Sequence, residues 1–462
     1  MNNRSWRWPL SGTLISLIGL NAAILTGQTV DEGITCRSPL FKPIYGVAQP
    51  IESKLVTEYE EKWHCEHTGF NLGHAGFRHR MLPLADGEVS VIWSSGSWFI
   101  CRLGDSSTTT TAPRGIYESR LRRDTWGQPR TILLRPSEGR ALLHDAQAKK
   151  DGRIAVLWSE VDESLGSIDV SSPGQIKNTQ SFFSYLTDGV VLDRRAVFDD
   201  EVRYTNVDFM RFEHGGLRQP LFRFGNNEQV LFFWLDRRHC FWPSVCPDGL
   251  RQRLLPEGDG PLGKVHSPAK SGRYSTEFDA SASENAIHVV WAARGLQYRQ
   301  YSGRWRNTER LISSRRSALR YVYGLGISSH STKTHVLVIG DTSDNESFFL
   351  HGWKTKDSWT LTRMHAPVLG DLPWGLRVFA GSKGQLHALM QPPGTFVDDH
   401  AYYPLIYVRF EGGTMTEPRV ISPSTWPHQI DIVEDSLGRV HATWVEHHGS
   451  KNELRHAILE TQ

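Results

Sequence analysis

Histidine, tyrosine, arginine and carboxylate side chains recur at one place relative to seven apolar runs of this chain. Each run alternates apolar and polar residues and ends on a large apolar residue. Counting back from that residue reaches a pair of candidate residues in every run. The pairs are His74 and Phe77, His144 and Asp145, Arg218 and Gln219, Glu277 and Asp279, Tyr321 and Tyr323, Trp374 and Arg377, and His428 and Asp431. This recurrence indicates that the fold gathers these side chains at one site.

These residue types are suited to proton transfer and to the binding of a charged ligand. A histidine can remove a proton and a tyrosine can deliver one, so we expect His144, His428 and Tyr323 to be catalytic. Arg218 would neutralise a substrate carboxylate. We expect the ligand to be bound by His74, Glu277, Trp374 and Arg377. The alternative is a water-filled channel, which collects polar side chains without any chemistry.

A metal site is a second alternative. Histidines from three different repeats would suit a metal ion, and His64, Cys65 and His67 lie close together in the sequence. A disulfide at Cys65 is the simpler interpretation of that cluster. We therefore expect neither a metal ion nor a cofactor. The chain also contains no P-loop, no GxSxG and no HExxH motif, which argues against the enzyme classes that carry them.

The repeat that would position these residues is a turn, an alternating apolar strand and usually a tryptophan. Asp151-Gly152 begins one copy, and such pairs suit tight hairpin turns. The copies end at Trp93, Trp158, Trp234, Trp291, Ile339, Met390 and Trp444. Such periods are typical of four-stranded propeller blades. The sequence thus predicts an all-β fold, a single seven-bladed β-propeller of four-stranded antiparallel blades, whose first strands line a central channel.

The ends of the chain should meet in this ring. The last copy has its third strand at 454–459, and the three residues that follow are too few for a fourth. The N-terminal segment, within residues 38–60, is expected to supply that strand and close the ring, since exposed sheet edges are avoided. The domain boundaries that we predict are 1–27 for a signal peptide or N-terminal anchor, 28–72 for the N-terminal segment and 73–462 for the propeller.

The N-terminus predicts export. Arg4 and Arg7 precede an apolar stretch, Leu10–Leu25, which is followed by small and polar residues. We expect a secreted or periplasmic protein with no other membrane span. Oxidising conditions allow disulfides among the five cysteines, and Cys240 and Cys246 could staple one loop. The 52 basic and 50 acidic residues nearly cancel, so we expect no nucleic-acid partner.

In its blade pattern the chain resembles the sialidase-like propellers. Ser302-Gly303-Arg304-Trp305 is a remnant of their Asp-box, and Phe77-Arg78-His79-Arg80 stands where they carry Phe/Tyr-Arg-Ile-Pro. A second resemblance, by residue type only, is to propeller polysaccharide lyases and rhamnose-glucuronate hydrolases, which use His, Tyr and Arg on uronate-containing glycans. The residues here that would suit such a site are His74, His144, Arg218, Tyr323 and His428.

Two functions are compatible with these observations. The first is an enzyme, a lyase or glycoside hydrolase, that acts on an anionic polysaccharide or glycoconjugate at the channel mouth. The second is a non-catalytic binding or scaffold propeller that holds a glycan or a protein partner. The gathering of titratable residues at one mouth favours the first function. The absence of an intact catalytic motif favours the second.

Overall fold

A computed structural model of the chain describes its strands and their tight turns. The described residues are 54–60, 79–95, 115–134, 139–149, 151–162, 179–187, 189–191, 194–198, 217–225, 229–236, 249–256, 260–268, 277–293, 295–313, 321–341, 347–355, 358–365, 375–391, 395–397, 400–402, 404–422, 428–448 and 451–460. The predicted signal segment and all five cysteines lie outside them, so export and disulfides stay predictions. Within the described part, no helix has the length and hydropathy that a bilayer crossing requires.

Seven antiparallel sheets form the ring, which confirms the seven-bladed propeller. The inner strands of blades one to seven are His79–Pro83, Gly139–Ala148, Leu217–Phe224, Phe278–Ala282, Tyr321–His330, Gly375–Ala380 and His428–Glu434. The second strands are Val89–Ser95, Ile154–Asp162, Val230–Asp236, Ile287–Ala292, Lys333–Asp341, Leu386–Gln391 and Val440–His448. The third strands are Gly115–Arg122, Thr179–Thr187, Gly249–Leu255, Gly295–Tyr301, Ser347–Thr355, Leu405–Glu411 and Lys451–Glu460.

The outermost strands are less regular than the inner ones. Blades four and five have single outer strands, Glu309–Ser313 and Ser358–His365. In three blades the outer edge is divided between two short strands. These are Thr125–Trp126 with Arg130–Leu134 in blade one, Val190–Val191 with Arg195–Ala196 in blade two, and Thr414–Met415 with Arg419–Ser422 in blade six. Blade three has three strands among the described residues. The remaining elements are a short 3-10 turn, Ala85–Gly87, and a small hairpin of Thr395–Val397 with His400–Tyr402.

The seventh blade takes its outermost strand from the start of the chain. Lys54–Glu60 pairs antiparallel with Lys451–Glu460, so that sheet runs from the inner strand of blade seven outward to Lys54–Glu60. This strand lies within the 38–60 window in which the sequence analysis placed it.

One apolar cluster fills the space between each pair of neighbouring blades. The repeat anchors lie on the second strands as predicted, and Trp158, Trp234, Trp291 and Trp444 are fully buried. Blade seven packs against blade one in the same way, with Val433 and Val445 against Met81. The alternation of the strands explains this arrangement, because each sheet must bury both of its faces against its neighbours.

A glycine on the inner strand of blade five lies close to blade six. A Cβ atom on Gly326 would lie 2.6 Å from Cγ2 of Val378 on the inner strand of blade six. We expect Gly326→Ala to lower the free energy of unfolding by about 1–3 kcal/mol through overpacking, as measured by urea denaturation. The double variant Gly326→Ala/Val378→Ala should recover most of the loss. Equal losses in the single and double variants would contradict this close-packing account.

Candidate functional site

Several long connections of the propeller leave from one face. Inner strands begin and second strands end at this face, which we call the mouth face. The connections there include residues 61–78, 96–114, 163–178 and 237–248, whereas turns at the opposite face are as short as 84–88, 149–153 and 225–229. Because binding residues are concentrated on long loops held by a rigid scaffold, the mouth face is the candidate functional face.

Four of the seven inner strands bulge close to the mouth face. The pairing register with the second strand shifts between Leu143 and Asp145, Arg218 and Leu221, Val322 and Gly324, and His428 and Ile430. His144, Tyr323 and Gln429 are therefore the extra residues of three bulges. Gln429 also has a φ of 50°, a left-handed conformation that is uncommon outside glycine. Bulges re-aim side chains next to functional sites, and their recurrence at one level points to this part of the channel.

Directly below the bulges lies a ring of charged side chains, which we call the charge ring. Five members stand opposite the second-strand residue that precedes the repeat anchor: Arg80, Asp145, Asp279, Arg377 and Asp431. Arg223 joins them from blade three, two residues beyond Leu221. Around the ring, arginine and aspartate alternate from blade one to blade four and again in blades six and seven. Blade five has the apolar Leu325 at this register.

Asp145 holds one side of the charge ring together. Its carboxylate accepts hydrogen bonds from Nε of Arg80 at 2.9 Å and from Arg223 at 2.7 Å, and also from the backbone N–H of Phe222 at 3.1 Å. Burial alone would raise the pKa of Asp145, but Arg223 and Arg80 outweigh it and lower the pKa below its usual value. This carboxylate is therefore ionised and links the inner strands of blades one, two and three.

Asp279 and Asp431 have a different environment. Each accepts one backbone N–H from its own strand and one from the next blade: Asp279 from Ile327 at 3.0 Å and Asp431 from Met81 at 2.7 Å. Burial raises the pKa of both carboxyl groups, against the attraction of nearby arginines. No arginine donates a hydrogen bond to either carboxyl group within the described part of the chain, although Nη2 of Arg223 forms an ion pair with Oδ1 of Asp279 at 4.0 Å. With their raised pKa values, these two are the titratable members of the ring.

Arg377 differs from the other two arginines of the ring. Its side chain is partly buried, and among the described residues it makes no hydrogen bond and no ion pair. By contrast, Arg80 donates to the carbonyl of His144 and Arg223 donates to that of Ala280. Burial and the charge of Arg80 lower the pKa of Arg377, but a guanidinium stays protonated at neutral pH. Arg377 therefore offers a charged set of donors to a ligand.

The structure describes the side chains of three of the site residues predicted from sequence. Arg377 lies in the charge ring. His144 lies beside it, but its ring is 2% exposed and Nε2 is 2.6 Å from Oγ of Ser159. Glu277 immediately precedes the inner strand of blade four, and its backbone carbonyl accepts the N–H of Ala292.

For three of the other predicted residues the structure describes only the backbone, and two lie outside the described residues. Arg218, Tyr323 and His428 lie at the mouth end of their inner strands, each at a bulge, and their side chains are outside the described part. His74 and Trp374 lie wholly outside the described residues. The catalytic and ligand-binding roles assigned to these five residues stay predictions. No group of three potential metal ligands occurs among the residues that the structure describes.

Sequence reasoning missed two members of the ring. Arg80 ends the Phe77-Arg78-His79-Arg80 run, and a shorter count back from Trp93 would have found it. Arg223 carried no usable signal, because it lies two residues beyond Leu221 and so outside the register that the other members share.

Comparisons with known proteins find the likeness in structure alone. No protein-family model and no curated protein matches the chain. Similar solved structures include a protein of unknown function from Dyadobacter fermentans, at 11% identity and a TM-score of 0.45, covering 89% of this chain and 99% of that one. The polysaccharide lyase Uly1 has 11% identity, a TM-score of 0.47 and coverage of 87% and 94%. The NanB sialidase of Streptococcus pneumoniae has 12% identity, a TM-score of 0.37 and coverage of 86% and 70%. No function for this chain follows from likeness at this level.

Proposed function

We propose that this propeller binds an anionic glycan at the mouth of its channel and that Arg377 binds a carboxylate of that glycan. The observation that carries the proposal is the charged guanidinium of Arg377, which lies in the ring without a hydrogen bond or ion pair to any described residue. Arginine presents a planar fork of donors that matches a carboxylate. The export signal expected at the N-terminus would bring the protein to extracellular or periplasmic glycans.

Cleavage of the glycan, by a lyase or hydrolase reaction, is the finer part of the proposal. His428, Tyr323 and Arg218 are its candidate catalytic residues, since each belongs to a strand end at the mouth face. His144 is buried against Ser159, so we assign it a positioning role at the bulge of blade two rather than contact with a substrate.

Binding is tested with polygalacturonate and with the same polymer after reduction of its carboxyl groups. We expect the wild-type protein to bind the charged polymer and not the reduced one. Arg377→Ala should weaken binding about tenfold or more, because a charge-assisted hydrogen bond contributes about 1.5–3 kcal/mol. The measurement is a calorimetric titration of each protein with each polymer.

Arg153→Ala is the matched control. It removes the same charge from an exposed turn at the opposite face, where Arg153 pairs with Asp151, and it should leave binding unchanged. Equal binding of the charged and reduced polymers would contradict the carboxylate assignment. An equal loss in both arginine variants would show a general charge effect instead.

A non-catalytic binding propeller is the second candidate function. It is favoured by His79 and His144, the two described histidines of the inner strands nearest the ring, which are both buried and bonded to hydroxyl groups of other strands. An assay of reducing ends and of unsaturated-uronate absorbance separates the two functions. Product formation establishes an enzyme, and binding without product establishes the binding module.

A further inference from the structure

The charge ring contains three arginines and three aspartates, and only part of this charge is paired. Arg80, Asp145 and Arg223 form a bonded group that spans blades one to three. These hydrogen-bonded residues carry two positive charges and one negative charge, because Asp145 is held ionised between the arginines. Arg223 also forms a longer ion pair with Asp279, at 4.0 Å. Arg377, Asp279 and Asp431 make up the rest of the ring without a hydrogen bond between any arginine and these two carboxyl groups.

Asp431 is the carboxyl group that acts most strongly on Arg377. The inner strands of blades six and seven are neighbours, and the attraction of Asp431 for Arg377 exceeds that of Asp279 or Asp145. Asp431 is 9% exposed, and its oxygens accept the backbone N–H groups of Met81 at 2.7 Å and Ile432 at 3.1 Å. It is thus a buried carboxyl group whose charge is stabilised by two amides and by the field of Arg80 and Arg377.

A bound anion and the carboxylate of Asp431 would both be attracted to Arg377 and would repel each other. With all members ionised the ring is neutral, so a carboxylate at Arg377 would add an uncompensated negative charge to a buried site. Desolvated like charges oppose each other, and protonation of one of them relieves the repulsion. The protonated carboxyl would also have an O–H to donate to the anion.

We propose that an anion bound at Arg377 is taken up together with one proton from solvent and that Asp431 receives this proton. This inference rests on the proposed function, because it concerns the same site. The charged groups that act on Asp431 are Arg80 from blade one and Arg377 from blade six. The other titratable or charged groups nearby are His79, next to Arg80 on blade one, and the ring members Asp145, Arg223 and Asp279 from blades two to four. The inner strand of blade five presents no charged side chain at the level of the ring among the described residues.

The test is calorimetry of the full chain with trigalacturonate in buffers of different ionisation enthalpy, from about pH 8 to about pH 6. We expect the wild-type protein to take up protons on binding and its affinity to rise as the pH falls, by up to about tenfold per pH unit. Asp431→Asn should bind with an affinity that does not depend on pH and without proton uptake. Asp279→Asn is the matched control and should retain the uptake.

The outcomes separate the two proposals. Binding of trigalacturonate without proton uptake by the wild-type protein overturns the inference and leaves the proposed function standing. Loss of the uptake in Asp279→Asn but not in Asp431→Asn overturns the assignment to Asp431. No binding at any pH overturns the proposed function and the inference with it. If Asp431→Asn does not fold, as judged by circular dichroism, the wild-type uptake still decides whether binding and protonation are coupled.

Discussion

Asp145→Ala is expected to destabilise the propeller by about 3–5 kcal/mol, the cost of removing one partner of a buried ion pair. The substitution would remove the one carboxylate that is hydrogen-bonded to both Arg80 and Arg223, and it would leave the N–H of Phe222 without its acceptor. Both arginine side chains are at most 20% exposed, so solvent replaces little of the lost interaction. Urea denaturation followed by tryptophan fluorescence measures the effect.

Two variants define the cause of this loss. Asp145→Asn preserves the shape and one acceptor but not the charge, so its stability should lie between those of the wild type and Asp145→Ala. Asp151→Ala removes a carboxylate from an exposed turn and should change stability little. Wild-type stability in Asp145→Ala would contradict the role of the charge ring in holding the blades together.

Acidification is expected to unfold the protein between about pH 6 and about pH 4, because several histidines are buried in the neutral form. Burial lowers the pKa of His79 from 6.5 to about 3 and that of His288 to about 4. The pKa values of His335, His351 and His441 are also lowered, again chiefly by burial. Nδ1 of His335 lies 3.1 Å from Nε2 of His351.

The sign of the pH dependence follows from these directions. Below pH 6.5 the unfolded chain binds protons that the folded chain rejects, so stability falls as the pH falls toward the folded-state pKa values. A shift from 6.5 to about 4 corresponds to about 3 kcal/mol for His288 alone. Asp279 and Asp431 act in the opposite sense, because their raised pKa values favour proton binding by the folded state. The histidines outnumber these two carboxyl groups, so the net stability falls on acidification. A loss of several kcal/mol is large against a total stability of about 5–15 kcal/mol.

The measurement is the free energy of unfolding in urea at successive pH values. We expect it to decrease steeply below pH 6.5, and we expect a smaller slope in His288→Gln, which removes one titrating group. A constant free energy of unfolding from about pH 6.5 to about pH 4.5 would contradict the assignment of these buried histidines as neutral.

The sequence contains a second repeat, of histidines on second strands, which the strand pattern did not predict. His288, His335, His387 and His441 lie at similar positions on the second strands of blades four to seven. Each bonds a residue of the third strand through Nδ1, and the partners are Tyr298, His351, Tyr407 and His456. The spacing of these histidines relative to the anchors was visible in the sequence, but their burial was not. A polar residue beside apolar ones cannot be assigned to core or surface until its cross-strand partner is known.

The sequence by itself determined the architecture of this protein. Alternating strands, turn residues and seven large apolar anchors predicted seven four-stranded blades, because the side-chain period of a strand and the burial of both faces of each sheet are local properties of the chain. The same pattern placed Asp145, Asp279, Arg377 and Asp431 on inner strands.

Only the tertiary structure decided how these charges interact. Bulges shift the register of four inner strands. Arg223 reaches the ring from two residues beyond the register of the other members, a position that no count along the chain would select. Pairing across blades commits Arg80 and Arg223 to Asp145 and leaves Arg377 without a hydrogen bond or ion pair to any described residue. These outcomes depend on distances of a few ångströms between side chains on strands that are far apart in sequence. The residue order along one strand does not predict those distances.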